Sequence, residues 1–133
     1  MGRRILAVVV ALIVAVAIMM VIEMGNSMII APPTAEIMND HAALCGYMAN
    51  GPVKAYIVVL IGYFLASFAG GFVVTKMGRQ VSRGIGLPLI VGAFLTLGMV
   101  ANIVMLPCQP PWFIVIGLLI FVPMTLLGHR FAR

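Results

Sequence analysis

AYIVVLIGYFLASFAGGFVVT, residues 55–75, runs without a single Asp, Glu, Lys or Arg. The hydrocarbon core of a bilayer is about 30 Å thick and takes roughly 20 apolar residues of helix to cross, so this stretch predicts a transmembrane helix. Inside it Gly62, Ala66 and Gly70 recur every four residues, and Ser67 and Gly71 form a second such pair. Small residues at this spacing let helix backbones approach closely, which is how helices associate where lipid offers no hydrophobic drive. The stripe therefore predicts packing partners, and these are expected inside the chain's own bundle rather than in a dimer.

Three more uncharged stretches of spanning length flank this one, at 5–22, about 84–106 and 112 to about 128. Ala7, Ala11 and Ala15 make a matching small stripe in the first, and Gly92, Gly98 and Gly117 continue the theme. The composition agrees: 64% of residues are hydrophobic and 8% charged, against about a quarter charged in soluble domains. Eleven Met, fourteen Gly and eight Pro beside three acids exclude a disordered tail, a coiled coil and a disulfide-dense secreted domain. The expected fold is an all-α membrane protein, one four-helix domain over residues 1–133.

Arg3 and Arg4 followed by an apolar run resemble the start of a secretory signal. Two features argue against that: the eighteen uncharged residues of 5–22 exceed the usual signal core, and Ala31 before Pro32 and Pro33 is a poor cleavage context. Orientation follows from the tendency of short Lys- and Arg-rich loops to stay cytoplasmic. With four spans, both termini share a face that carries Arg3, Arg4, Lys76, Arg79, Arg83, Arg130 and Arg133, leaving Lys54 alone opposite. Both termini are expected in the cytoplasm, and the chain in the inner membrane. The net charge of +5 is then accounted for by topology and by anionic lipid, and no nucleic-acid partner is expected.

Glu23, Glu36 and Asp40 fall on the outer side, with Cys45 and Cys108 in the two outer loops. In an oxidising compartment Cys45 and Cys108 are candidates for a disulfide closing a long loop; the alternative is two separate small residues at the interface. A redox role is not expected without a Cys-x-x-Cys pair. Residues 35–49 carry Ile37, Met38, Leu44, Cys45 and Met48 at helical spacing, with Thr34 placed to cap and Asn50, Gly51 and Pro52 to stop. They predict one amphipathic helix lying on the outer surface or capping the bundle, the alternative being an irregular lid.

Glu23 is the most informative single residue. About 28 Å along a helix begun at Arg4, it nears the outer boundary of the hydrocarbon. If the helix continues through Met24 to Ala31 the carboxyl is embedded; if it ends at Gly25 and Asn26 the carboxyl meets water. Asn102, Tyr56 and Lys54 reach comparable depth, so a polar cluster of Glu23, Asn102, Tyr56 and Lys54 is expected beneath the loop helix. The plainer alternative is a Glu23–Lys54 pair or a cap on the loop helix. His41 and His129 lie on opposite faces and share no metal; His129 reads as part of the inner basic collar, and no metal or other cofactor is expected. Pro123, well inside the fourth span, predicts a kink. No nucleophile elbow, zinc-protease, phosphate-loop or dinucleotide motif occurs, so no enzyme is expected. Glu23 precedes Pro32 and Pro33 much as Asn102 precedes Pro110 and Pro111, and a Gly-rich span with a basic inner end follows in each half, suggesting two hairpins related by duplication.

The order of Ile22 and Glu23, Pro32 and Pro33, Gly70 and Gly71, Ala101 and Asn102 with Pro107, Pro111 through Phe113, and Pro123 before Gly128 resembles small bacterial four-span inner-membrane proteins of unassigned function. The resemblance spans most of the chain on short motifs. It implies the architecture and brings no activity to carry over. Small multidrug transporters also place a glutamate in the first of four spans, but near mid-membrane. The functional expectation is a non-enzymatic accessory or self-associating subunit, with lipid and a membrane protein, itself included, as partners. The alternative is a proton-coupled solute carrier or channel using Glu23 and Asn102.

Overall fold

The computed structural model describes residues 2–28, 34–50, 53–80, 84–105 and 109–133, with the backbone alone for Met48. Pro32, Pro33, Arg83, Pro107 and Cys108 lie outside the described residues. Helices are α1 (Gly2–Asn26), α2 (Ala35–Asn39), α3 (His41–Ala49), α4 (Val53–Gly78), α5 (Gly86–Met105) and α6 (Pro111–Ala132), and no strand occurs among the described residues. Four of them, α1, α4, α5 and α6, are long and apolar enough to cross a membrane.

Three of these helices overrun the uncharged stretches that announced them, α1 taking in Arg3, Arg4 and Glu23, α4 taking in Lys54 and Lys76, and α6 taking in Arg130. Hydropathy marks the part of a helix that suits lipid, whereas backbone signals end the helix itself. α5 instead starts late, at Gly86 after a bend at Gly84 and Ile85. Pro88 then sits in the first turn, where no intrahelical N–H bond is lost. Pro111 opens α6 for the same reason, and α6 runs on through Pro123.

The single loop helix expected over 35–49 is two helices. Thr34 caps α2, its hydroxyl accepting from the Ile37 N–H at 3.4 Å. Asp40 then leaves helical geometry (φ −109°, ψ 112°) and its carboxylate accepts from the Ala42 N–H at 3.0 Å. A short acidic side chain competes for nearby backbone N–H groups, so Asp40 ends one helix and caps the next.

The small-residue stripes are the seams of the bundle. Ala7, Ala11 and Ala15 are fully buried, and they face α4: a Cβ built on Gly70 would meet the Ala11 carbonyl at 3.7 Å and the Ala15 Cβ at 3.8 Å, and one on Gly78 the Ala7 Cβ at 3.9 Å. Gly62 faces Ile22 in the same antiparallel register. The opposite face of α4 meets α6 more closely still, Gly71 lying against the Thr125 backbone and Gly128 against that of Phe68 and Phe72. Gly92 rests on Val122, so α5 joins through α6. α4 is thus the central helix, packed on α1 and α6, while α1 and α5 meet only sparsely.

This register gathers the start of α1 and the ends of α4 and α6 at one end of the bundle, with Arg3, Arg4, Lys76, Arg79, Arg130 and Arg133 among their residues. Glu23, Asn102, Gln109 and Trp112 belong to the other end.

Candidate functional site

At the end away from the arginines, a cleft of about 320 Å³ opens between α1 and α5. Its walls are apolar, with Leu12, Val16 and Met19 from α1, Phe94 and Met99 from α5, and Phe121 from α6. Three polar side chains enter it: Glu23, Tyr63 and Asn102. Glu23 and Tyr63 also share a smaller crevice with Ile22 and Gly62, where the absence of a side chain on Gly62 lets α1 close on α4.

Asn102 is the middle of a chain of amides. Gln109 Nε2 donates to Asn102 Oδ1 at 3.2 Å, and Asn102 Nδ2 donates to Tyr63 Oη at 3.2 Å. Tyr63 therefore receives a hydrogen bond and keeps its own proton to donate. Gln109 is buried, 6% exposed, and its Oε1 has no hydrogen-bond partner among the described residues.

Of the four residues expected to cluster, Glu23 and Asn102 share the cleft. Tyr56 instead stacks against Phe113 (5.0 Å between ring centroids) and Trp112 (6.1 Å). Lys54 is exposed and not part of the cleft wall. Nor does Lys54 pair with Glu23 among the described residues. α1 ends three residues after Glu23, at Asn26, and Glu23 is exposed.

Tyr63 is the member that depth counting overlooked. Side chains lean toward the N-terminus of their helix. α4 begins at the end of the bundle away from the arginines, so the Tyr63 ring reaches toward that end, while Glu23 and Asn102, on helices running the other way, lean toward the arginines. Allowance for that lean, at most about one turn of helix for a tyrosine, favours Tyr63 over Tyr56.

Below this site the hydroxyls turn back on their own helices. Ser67 donates to the Tyr63 carbonyl at 2.6 Å, Thr96 to Gly92 at 2.8 Å, Thr125 to Phe121 at 2.6 Å and Thr75 to Gly71 at 2.7 Å. None is left aligned as a file along the bundle. Thr75 also meets His129 Nδ1 at 2.8 Å. Whether the Thr75 hydroxyl accepts from or donates to His129 Nδ1 follows the imidazole tautomer. His129 is buried, an inter-helix tie rather than a member of the exposed collar. Thr125 bonds to Phe121 and not to residue 119, whose carbonyl Pro123 deprives of its partner.

No group of three or more His, Cys, Asp or Glu able to hold a metal ion occurs among the described residues. Cys45, on α3, is not a free thiol, and Cys108 is outside the described residues. No family model, no curated protein and no solved structure matches the chain.

Proposed function

We propose that the chain is a non-enzymatic integral protein of the inner membrane, with both termini cytoplasmic, serving as an accessory or self-associating small subunit. One observation carries this reading: beneath Tyr63 every hydroxyl named above is spent on its own helix, and the cleft walls are apolar. Solute transport needs a polar path continuing to the far side, and polar groups in a bilayer are costly unless partnered. The same reading takes α2 and α3 as an outer cap and pairs Cys45 with Cys108 across the two outer loops. The bundle end rich in arginine faces the cytoplasm, as the bias of basic residues requires.

The test is flux and company. Wild-type protein and Glu23→Gln in liposomes should both pass neither protons nor solutes. Mild-detergent extraction from the native membrane should yield an oligomer or a constant companion, and a carboxyl-terminal tag should be reachable only after the inner membrane is opened. Flux that Glu23→Gln abolishes would replace this reading with the second: a proton-coupled carrier or channel using Glu23 and Asn102. That reading has the shared cleft of Glu23, Tyr63 and Asn102 in its favour.

A further inference from the structure

The side of the bundle between α1 and α5 is open along most of its length. The small face of α1 turns to Gly70 and Gly78 of α4, which leaves α5 with little of α1 to touch. The result, toward the arginine end, is a second cleft of about 640 Å³, walled by Val8, Val9, Leu12, Ile90 and Phe94, with Arg4 on its rim. Leu12 and Phe94 belong to this cleft and to the one that holds Glu23. The two are therefore one groove with a waist, and its chemistry is polarised: a guanidinium at one end, then apolar walls, then Glu23, Tyr63 and Asn102.

The geometry points to this groove as the seat of one lipid from the leaflet on the arginine side, its anionic phosphodiester at Arg4 and one acyl chain laid between α1 and α5. Length supports this. A leaflet's hydrocarbon is half of about 30 Å, or ~15 Å. Along α1 the step from Arg4 to Leu12 is roughly 12 Å and to Val16 roughly 18 Å. An acyl chain thus ends at the waist, short of the polar group beyond it. Charge supports it too. No carboxylate lines the inner cleft, and the acid in the groove, Glu23, stands at the far end, where it repels a phosphate entering the wrong way round. Apolar walls alone hold any chain, so Arg4 supplies the headgroup choice, roughly fivefold.

The test is native mass spectrometry of the full chain released from detergent containing equal phosphatidylglycerol and phosphatidylcholine with matched acyl chains. The wild type should retain one phosphatidylglycerol at least fivefold over phosphatidylcholine. Arg4→Gln should erase the preference, and Arg130→Gln, the same charge change at the same end but off the groove, should keep it. Val9 and Ile90 are groove-wall residues 44% and 43% exposed, so tryptophan there fills the groove without entering the core. Val9→Trp and Ile90→Trp should each cut retention of both lipids about tenfold. Equal losses from Arg4→Gln and Arg130→Gln would mean a diffuse basic surface. Full retention in both tryptophan variants would mean ordinary boundary lipid, and altered subunit number with unaltered lipid would mean a protein interface. Any of these three results overturns the proposal.

Discussion

Gly71→Ala should separate α4 from α6. A Cβ at Gly71 would lie 2.7 Å from the carbonyl carbon of Thr125 and 2.9 Å from its Cα, with the carbonyl oxygen nearer still. Since ordinary contact begins at 3.4 Å, the two helices must part by about 0.7 Å or more. The obstacle is the backbone of a helix, so no rotamer change relieves it. Overpacking of this kind costs about 1–3 kcal/mol, and the upper part of that range applies where backbone meets backbone. Alanine returns up to about 1 kcal/mol through better helix propensity, leaving a net loss of about 1–2 kcal/mol. Gly98 is the internal reference: nothing lies within 4 Å of its built Cβ, so Gly98→Ala keeps the propensity gain without the clash. The two variants should differ by about 2–3 kcal/mol. Unfolding by SDS in mixed micelles, followed by helical circular dichroism and by the fluorescence of Trp112, the one tryptophan, measures this. Gly128→Ala, which meets the Phe68 carbonyl carbon and the Phe72 nitrogen each at 3.0 Å, should behave like Gly71→Ala. Equal midpoints for Gly71→Ala and Gly98→Ala would refute the claim that close α4–α6 approach holds the bundle.

Three further outcomes are expected. Asn102→Leu strips partners from Gln109 and Tyr63 and should cost about 1–2 kcal/mol in the same assay; Tyr63→Phe should cost less in that background than in wild type, and strict additivity would show that the amide chain is not a unit. Thr75→Val leaves the buried His129 Nδ1 without its hydrogen-bond partner and should cost about 1–2 kcal/mol, while Thr75→Ser should recover most of the loss; equal losses from Val and Ser would make the contact one of packing. If Cys45 and Cys108 are bridged, wild-type protein should shift on a gel after reduction, Cys45→Ser should not, and both reduction and substitution should lower stability by about 4 kcal/mol on the chain-entropy account. Labelling of both thiols without reductant would exclude the bridge.

Much of the bundle was legible because the signals behind it are local. An uncharged run such as 55–75 is a statement about lipid, and a small-residue spacing such as Gly62, Ala66 and Gly70 places three backbone openings on one helix face. The partition of the loop was less legible. Apolar spacing over 35–49 suggested one helix, and Asp40, whose carboxylate competes for the backbone, made it two. The polar site was half legible. Counting residues along helices placed Glu23 and Asn102 at one depth, but it compared Cα positions, so it chose Tyr56 where the tilt of side chains delivers Tyr63. His129 was read with its charged neighbour Arg130, although a helix turns about 100° per residue, and that turn carries His129 inward to Thr75.

From the order of residues alone came the four apolar helices, the gathering of basic residues toward one end and the stripes through which helices touch. Each depends on period and composition along one chain. Only the assembled bundle decided which stripe met which: the alanines of α1 against Gly70 and Gly78, Gly71 against Thr125, and a groove left between α1 and α5. Those pairings are long-range and mutually exclusive. The small face of α1 can pack against one neighbour at a time, and taking α4 leaves α5 apart.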